Sequence, residues 1–223
     1  MITATLALHM IAPARVYEKQ GKNWKAEVRI PALASSQASD LIFGWAKREA
    51  DKWIKETTGD EIRPDAPYEF SITAGTPFTY GNFLSIQTGL YAYSGGAHPG
   101  HSSRVFNLIT ENGKVRPVRI NEFIVKGTDP YVVFTKVIMP VLRERGASWV
   151  TEGMYKHFTE VEPKGDTGGT ALPVPKVGPK GLTFTFDAYA VGSYAEGDYV
   201  VDVPWSRLGS RLNKAFVKKI TGR

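Results

Sequence analysis

The sequence predicts an α+β protein with a mixed, largely antiparallel sheet and two to three packed helices. Three observations predict it. Strand-like segments follow one another in hairpin-like succession, without a regular β-α-β alternation. One joint between such segments is Asn112-Gly113, a pair suited to tight hairpin turns. Two long segments, residues 35–58 and 129–145, carry apolar side chains or start signals of helices.

Residues 2–12 are apolar, and residues 3–9 read as a first strand. Ala12-Pro13-Ala14 is similar to a signal-peptide end, yet the stretch is short and lacks a positive start. In residues 23–30, Trp24, Ala26, Val28 and Ile30 alternate with Lys25, Glu27 and Arg29, the period of a half-buried strand. Serines open the helix at 35–58, and Ile42, Trp45, Ala46, Ala50, Trp53 and Ile54 share one face, with Gly59 as its stop. Tyr68, Phe70 and Ile72 alternate in the next strand, residues 76–81 read as a loop, and residues 83–93 form a long strand. Residues 104–110 and 114–120 make the hairpin.

Asp129-Pro130 places an acidic N-cap before a first-turn proline, and Gly146 ends that helix, which Pro140 should kink or break. A short helix follows within 148–158, then strands at 182–186 and 198–203, and a terminal helix at 204–218. The reading is of one domain, residues 1–223, with an N-terminal strand region at 1–22 and an exposed Pro/Gly-rich loop at 163–180.

Composition bounds the function. Apolar residues make up 42% of 223 and aromatics 12%, enough for a sizeable core. Lys and Arg number 28 against 22 Asp and Glu, a net charge of +6 without a long polybasic run. There is no cysteine, which excludes disulfides, thiol catalysis and Cys-based zinc sites. No apolar run reaches the length of a membrane-spanning helix. Phosphate-cradling glycine motifs are absent, so nucleotide binding is not expected; no nucleic-acid partner is expected either.

The densest local signal is Tyr91-Ala92-Tyr93-Ser94-Gly95-Gly96-Ala97-His98-Pro99-Gly100-His101, where paired glycines break a strand and two histidines follow. His98 and His101 alone fall short of a zinc ligand set, and His9 and His157 have no ligand spacing to them; Asp187 or Glu122 could serve as a further donor, but nothing in the spacing points to either. No metal or cofactor is expected. Ser94, His98 and Asp187 are triad residue types, but Ser94 lies outside a nucleophile elbow. The close carboxylates Glu61/Asp65 and Glu196/Asp198 lie in turn-like regions and do not define a glycosidase pair.

Several stretches converge on a known pattern: Arg29-Ile30-Pro31-Ala32-Leu33, the Gly95-Gly96-Ala97-His98 element, Phe106-Asn107-Leu108, Ile120-Asn121-Glu122-Phe123, Gly181 to Tyr189, Tyr194-Ala195-Glu196-Gly197 and Val203-Pro204-Trp205. Their order resembles a bacterial extracytoplasmic domain of unknown function. That domain occurs as the lysozyme-sensing domain of RsiV-type anti-sigma factors and beside PdaC-type peptidoglycan deacetylases. Residues 65–73 and Thr128-Asp129-Pro130 also resemble the secreted mycobacterial immunogenic protein, a tuberculosis antigen. The resemblance implies an α+β fold, a secreted or periplasmic setting and a non-catalytic role.

The expected function is a binding module for a cell-wall polymer or a lysozyme-like protein. Its rim is formed by Tyr93, Ser94, Gly95, Gly96, His98 and His101 with Asp187, Tyr189, Tyr194 and Glu196, two Gly- and Tyr-rich segments. The alternatives are a cell-wall hydrolase using His98 or Asp187, and an antigen-like secreted protein without a small ligand.

Overall fold

The computed structural model describes residues 14–57, 67–164 and 167–222. The expected strand at 3–9, the helix stop at Gly59 and the carboxylates Glu61 and Asp65 lie outside the described residues. The protein is α+β, and its strands pair mostly antiparallel. In chain order the first elements are β1 (Arg15–Gln20), β2 (Trp24–Ile30), α1 (Ser36–Thr57), β3 (Tyr68–Ala74), β4 (Phe78–Tyr80), β5 (Phe83–Tyr93), β6 (Gly100–Glu111) and β7 (Lys114–Pro117). They are followed by α2 (Pro130–Glu144), α3 (Ser148–Thr151), β8 (His157–Thr159), β9 (Gly169–Ala171), β10 (Lys176–Val177), β11 (Gly181–Phe186), β12 (Tyr199–Pro204), α4 (Trp205–Leu208) and α5 (Lys214–Thr221). No helix among the described residues is long and apolar enough to cross a membrane.

The chain divides into two compact units, Met1–Thr76 with Gly89–Gly100, and Pro77–Thr88 with His101–Arg223. In the first, β1 runs antiparallel to β2, and β2 runs parallel to β3 in the register Trp24↔Tyr68. Parallel neighbours need a crossover, and α1 supplies it. Ala38, Ile42, Ala46, Ala50 and Trp53 form its buried stripe. The Trp53 ring lies 5.5 Å from Phe70 and 6.5 Å from Trp24. Ser35 caps the helix, its hydroxyl accepting the Ala38 N–H at 3.2 Å.

Strand β1 lies within the strand region expected at 1–22, but no periodicity marks its bounds, because only Arg15 and Tyr17 are even half-buried. Its attachment is polar. The Tyr17 hydroxyl and the Lys47 ammonium both donate to Asp51, the latter at 2.6 Å. Lys47 first, and Tyr17 next, hold the Asp51 carboxyl down at about 2.

In the second unit, β4 pairs with the start of β5, β6 pairs with β7, and β10-β11-β12 form an antiparallel sheet. The hairpin turn is as expected, with Asn112 at φ 51 and Gly113 at φ 74. The core gathers around Phe134 and Phe184, each fully buried with ring centroids 5.1 Å apart, and Phe158 stacks on Phe186 at 5.5 Å. Asp129 caps α2 by accepting the Tyr131 N–H at 2.8 Å.

Four expectations are corrected. Helix α2 runs through Pro140 to Glu144 without a break; Pro140 is exposed, so its ring has room on the solvent side. The segment 76–81 holds strand β4, turned at Gly81 with φ 53. The terminal helix splits at Gly209 (φ 55), with Asn213 recapping α5, while the short helix expected within 148–158 is present as α3. Residues 163–180 are not simply an exposed loop. They contribute β9 and β10, bury Val177 completely, and leave Leu172 only 9% exposed. Val177 N–H donates to the buried Ser85 hydroxyl at 2.8 Å, which draws this Pro-rich stretch onto β5.

Candidate functional site

The glycine loop leaves β5 at Tyr93, which is half-buried. The Ser94 hydroxyl accepts the indole N–H of Trp53 at 3.2 Å, tying the loop to α1. Gly95 has φ 79, and a Cβ there would lie 2.9 Å from a ring carbon of the buried Tyr68. Glycine is required at this position both by the backbone and by the close approach. Gly96 has neither constraint, its nearest contact being the His98 carbonyl at 3.8 Å. His98 is exposed, with Nδ1 3.2 Å from the Pro99 carbonyl oxygen. The boundary between units falls after Gly100, so exposed His101 belongs to the second unit.

In the second unit the segment after β11 is held by carboxylates. Asp187 accepts the Ser103 N–H at 2.8 Å, and Asp198 accepts the Ala188 N–H at 2.9 Å. Between them Tyr189 takes φ 69, an uncommon conformation for a bulky residue. It remains 54% exposed, with its ring 5.7 Å from that of Tyr194.

Glu196 is the hub of this segment. Oε1 accepts from the Ser148 hydroxyl at 2.7 Å and from the Ser193 N–H and hydroxyl at 2.8 and 2.9 Å. Oε2 accepts from the Ser148 N–H at 3.0 Å and the Tyr199 hydroxyl at 2.8 Å. These donors, the Ser148 hydroxyl foremost, hold the carboxyl far below its ordinary range. Burial first, and Glu196 next, raise the Tyr199 phenol. Gly192 packs directly on this carboxylate, where a Cβ would collide with it. Glu196 thus clamps the start of α3 to the turn at 194–196 and to β12, with five donors occupying its two oxygens.

Two clefts open in the second unit. One, of about 210 Å³, is lined by Tyr155, Glu162, Thr170, Asp187 and Tyr189 among others. Asp187 and Tyr189 were legible in the sequence. Tyr155, Glu162 and Thr170 were not, because they come from the stretch around β8 and β9 that read as helix end and loop. Glu162 is itself fixed, accepting the Ala171 N–H at 2.9 Å. The other cleft, of about 730 Å³, is lined by Asn107, Arg119, Asn121, Tyr131, Glu160 and Val174 among others. None of these was expected at a site. The available signal was Asn107, a polar residue set inside the apolar run Phe106-Asn107-Leu108-Ile109.

Among the described residues, no group of three or more His, Asp or Glu side chains converges as metal ligands would. Glu122, weighed as a donor, instead receives both Arg116 nitrogens at 2.9 Å and the Arg119 N–H at 2.9 Å. The carboxylates around Tyr189 therefore set backbone shape, and the side chains offered to a ligand there are aromatic rings.

Residues 176–206 match the model of the family DUF3298, described as a protein of unknown function. The match spans β10 to the start of α4, and so contains the whole segment organised by Asp187, Glu196 and Asp198. No curated protein matches the chain. A crystal structure of a DUF3298 family member from Bacteroides fragilis covers 94% of this chain and 99% of its own, with a TM-score of 0.56 at 13% identity. One from Pseudomonas aeruginosa covers 91% of this chain and 93% of its own, with a TM-score of 0.55 at 14% identity. At such identities the likeness establishes a shared fold, and the similarity to the DUF3298 family model lies in the β10–β12 region.

Proposed function

We propose that this chain is an exported, non-catalytic binding module that recognises a cell-envelope polymer. The observation that carries the reading is the Tyr189–Tyr194 pair. A non-glycine residue at φ 69 is conformationally costly, and it persists only where the surroundings over-determine it. Here Asp187, Asp198 and the five-donor Glu196 clamp fix the backbone on both sides of two aromatic rings. Tyr189 is exposed and Tyr194 half-buried, and rigidly held tyrosines lose little entropy on binding and present an apolar face with a polar tip. The 210 Å³ cleft beside Tyr189 adds depth to that surface.

The net charge of +6 favours an anionic polymer over a basic protein such as lysozyme. The resemblance to lysozyme-sensing and deacetylase-associated domains supports an envelope setting for the same surface. The test is binding to soluble wall polymers and to lysozyme, at low and high salt. Polymer binding that weakens with salt is expected, and Tyr189→Ala should lower affinity about tenfold, equivalent to about 1.4 kcal/mol. A salt-insensitive complex with lysozyme alone would overturn the polymer reading. Turnover of wall material abolished by His98→Ala would overturn the non-catalytic one.

A further inference from the structure

The larger cleft contains a feature that the Tyr189 surface does not explain. Asn107 is 4% exposed, and its Nδ2 donates to the Pro175 carbonyl at 2.8 Å. That bond fixes which way the amide faces. Its Oδ1 is buried and has no hydrogen-bond partner. Buried acceptors are nearly always paired, so an orphan in a cleft wall calls for a donor supplied from outside.

The rest of the lining specifies what kind of molecule would bring that donor. Buried Phe123, Val118 and Leu172 make an apolar wall. Arg119 and Glu160 are both exposed, and neither forms an ion pair among the described residues. Tyr131 also lines the cleft, half-buried, its phenol raised by burial first and by the charge of Glu160 next. A volume of about 730 Å³ lies within the span of small-ligand sites, roughly 300–1,000 Å³.

We infer that this cleft binds a short zwitterionic peptide. Its carboxylate pairs with Arg119, its ammonium group with Glu160, a backbone N–H donates to Asn107 Oδ1, and an apolar side chain rests on Phe123 and Leu172. A neutral sugar would satisfy the amide but leave both opposite charges unused. Arg119 suits a terminal carboxylate because its planar guanidinium can donate two parallel hydrogen bonds. The cleft adjoins the proposed envelope-binding surface at Pro173, but Tyr189, Tyr194 and Asp187 do not line it, and Asn107, Arg119 and Val174 do not line the smaller cleft. Success or failure at one is therefore distinguishable from that at the other.

The experiment is amide NMR of the isotopically labelled full chain, titrated with dialanine, dileucine and diphenylalanine. At least one is expected to give saturable shifts at Asn107, Arg119 and Val174. Arg119→Gln and Glu160→Gln alter exposed side chains and should fold normally; each is expected to weaken binding about tenfold or more. Acetylated and amidated dileucine, which has lost both charges, should bind at least about tenfold more weakly than the free dipeptide. The inference is overturned if no dipeptide shifts these amides at millimolar concentration, if the shifts map elsewhere, or if the variants or the capped peptide bind like their parents.

Discussion

Replacing Gly95 by alanine should destabilise the protein strongly, while the same change at adjacent Gly96 should not. Gly95 sits at φ 79, where an L-residue costs about 1–2 kcal/mol. Its new Cβ would lie 2.9, 3.1 and 3.3 Å from Cε1, the hydroxyl oxygen and Cζ of Tyr68. Tyr68 is 7% exposed, so its ring has little room to yield, and such overpacking costs about 1–3 kcal/mol. The two effects together come to about 2–5 kcal/mol, a large part of a typical stability of about 5–15 kcal/mol.

At Gly96 the backbone is outside the left-handed region, and the nearest atom to a Cβ is 3.8 Å away. Alanine there restricts the unfolded chain and should add about 0.4–1 kcal/mol. Urea unfolding followed by tryptophan fluorescence reads the difference, because the Trp53 indole is bonded to Ser94 in this loop. With a urea slope of about 2 kcal/mol/M, Gly95→Ala should lower the midpoint by about 1–2.5 M. Gly96→Ala should hold or raise it. Equal midpoints for the two variants would refute the argument that the loop's shape is set at Gly95.

Three further outcomes are expected. The Glu196 carboxyl is depressed in the fold below its ordinary value of 4.5, so the stability it contributes is present above that pH and lost as pH falls through the lower folded value. Glu196→Gln should therefore flatten the acid limb of stability below pH 4.5, measured by denaturation from neutral pH down to about pH 2. An unchanged acid limb would remove Glu196 as its source. Gly192→Ala drives a methyl group into that carboxylate and should cost about 1–3 kcal/mol, read as a lowered urea midpoint. Phe184→Ala empties a fully buried position against Phe134 and should cost about 3–5 kcal/mol in thermal unfolding; a loss below 1 kcal/mol would contradict its place in the core.

The sequence by itself determined the α+β class and the elements whose chemistry is local. Alternation in residues 24–30 and 68–73 marked β2 and β3, and the apolar stripe of α1 marked its buried face. Asn112-Gly113 fixed a hairpin, and Asp129-Pro130 fixed a helix start, because each acts through neighbours only a few residues away. The loop at 93–101 and the segment 187–196 were legible as glycine- and tyrosine-rich stretches.

Only the tertiary structure decided what those residues do. Glu196 is a clamp because Ser148, 48 residues earlier, supplies two of its donors. Asp187 is tied to Ser103 across 84 positions, and Val177 to Ser85 across 92. Strand β1 forms although its own pattern is mostly exposed, since its anchor Asp51 lies on α1. The Asn107 cleft joins β6, the 119–131 stretch and the Pro-rich segment, none of which carries a site signature alone. Periodicity reports which face of an element is buried. It carries no information about which distant donor or acceptor will meet that face, and that pairing is what shapes both clefts.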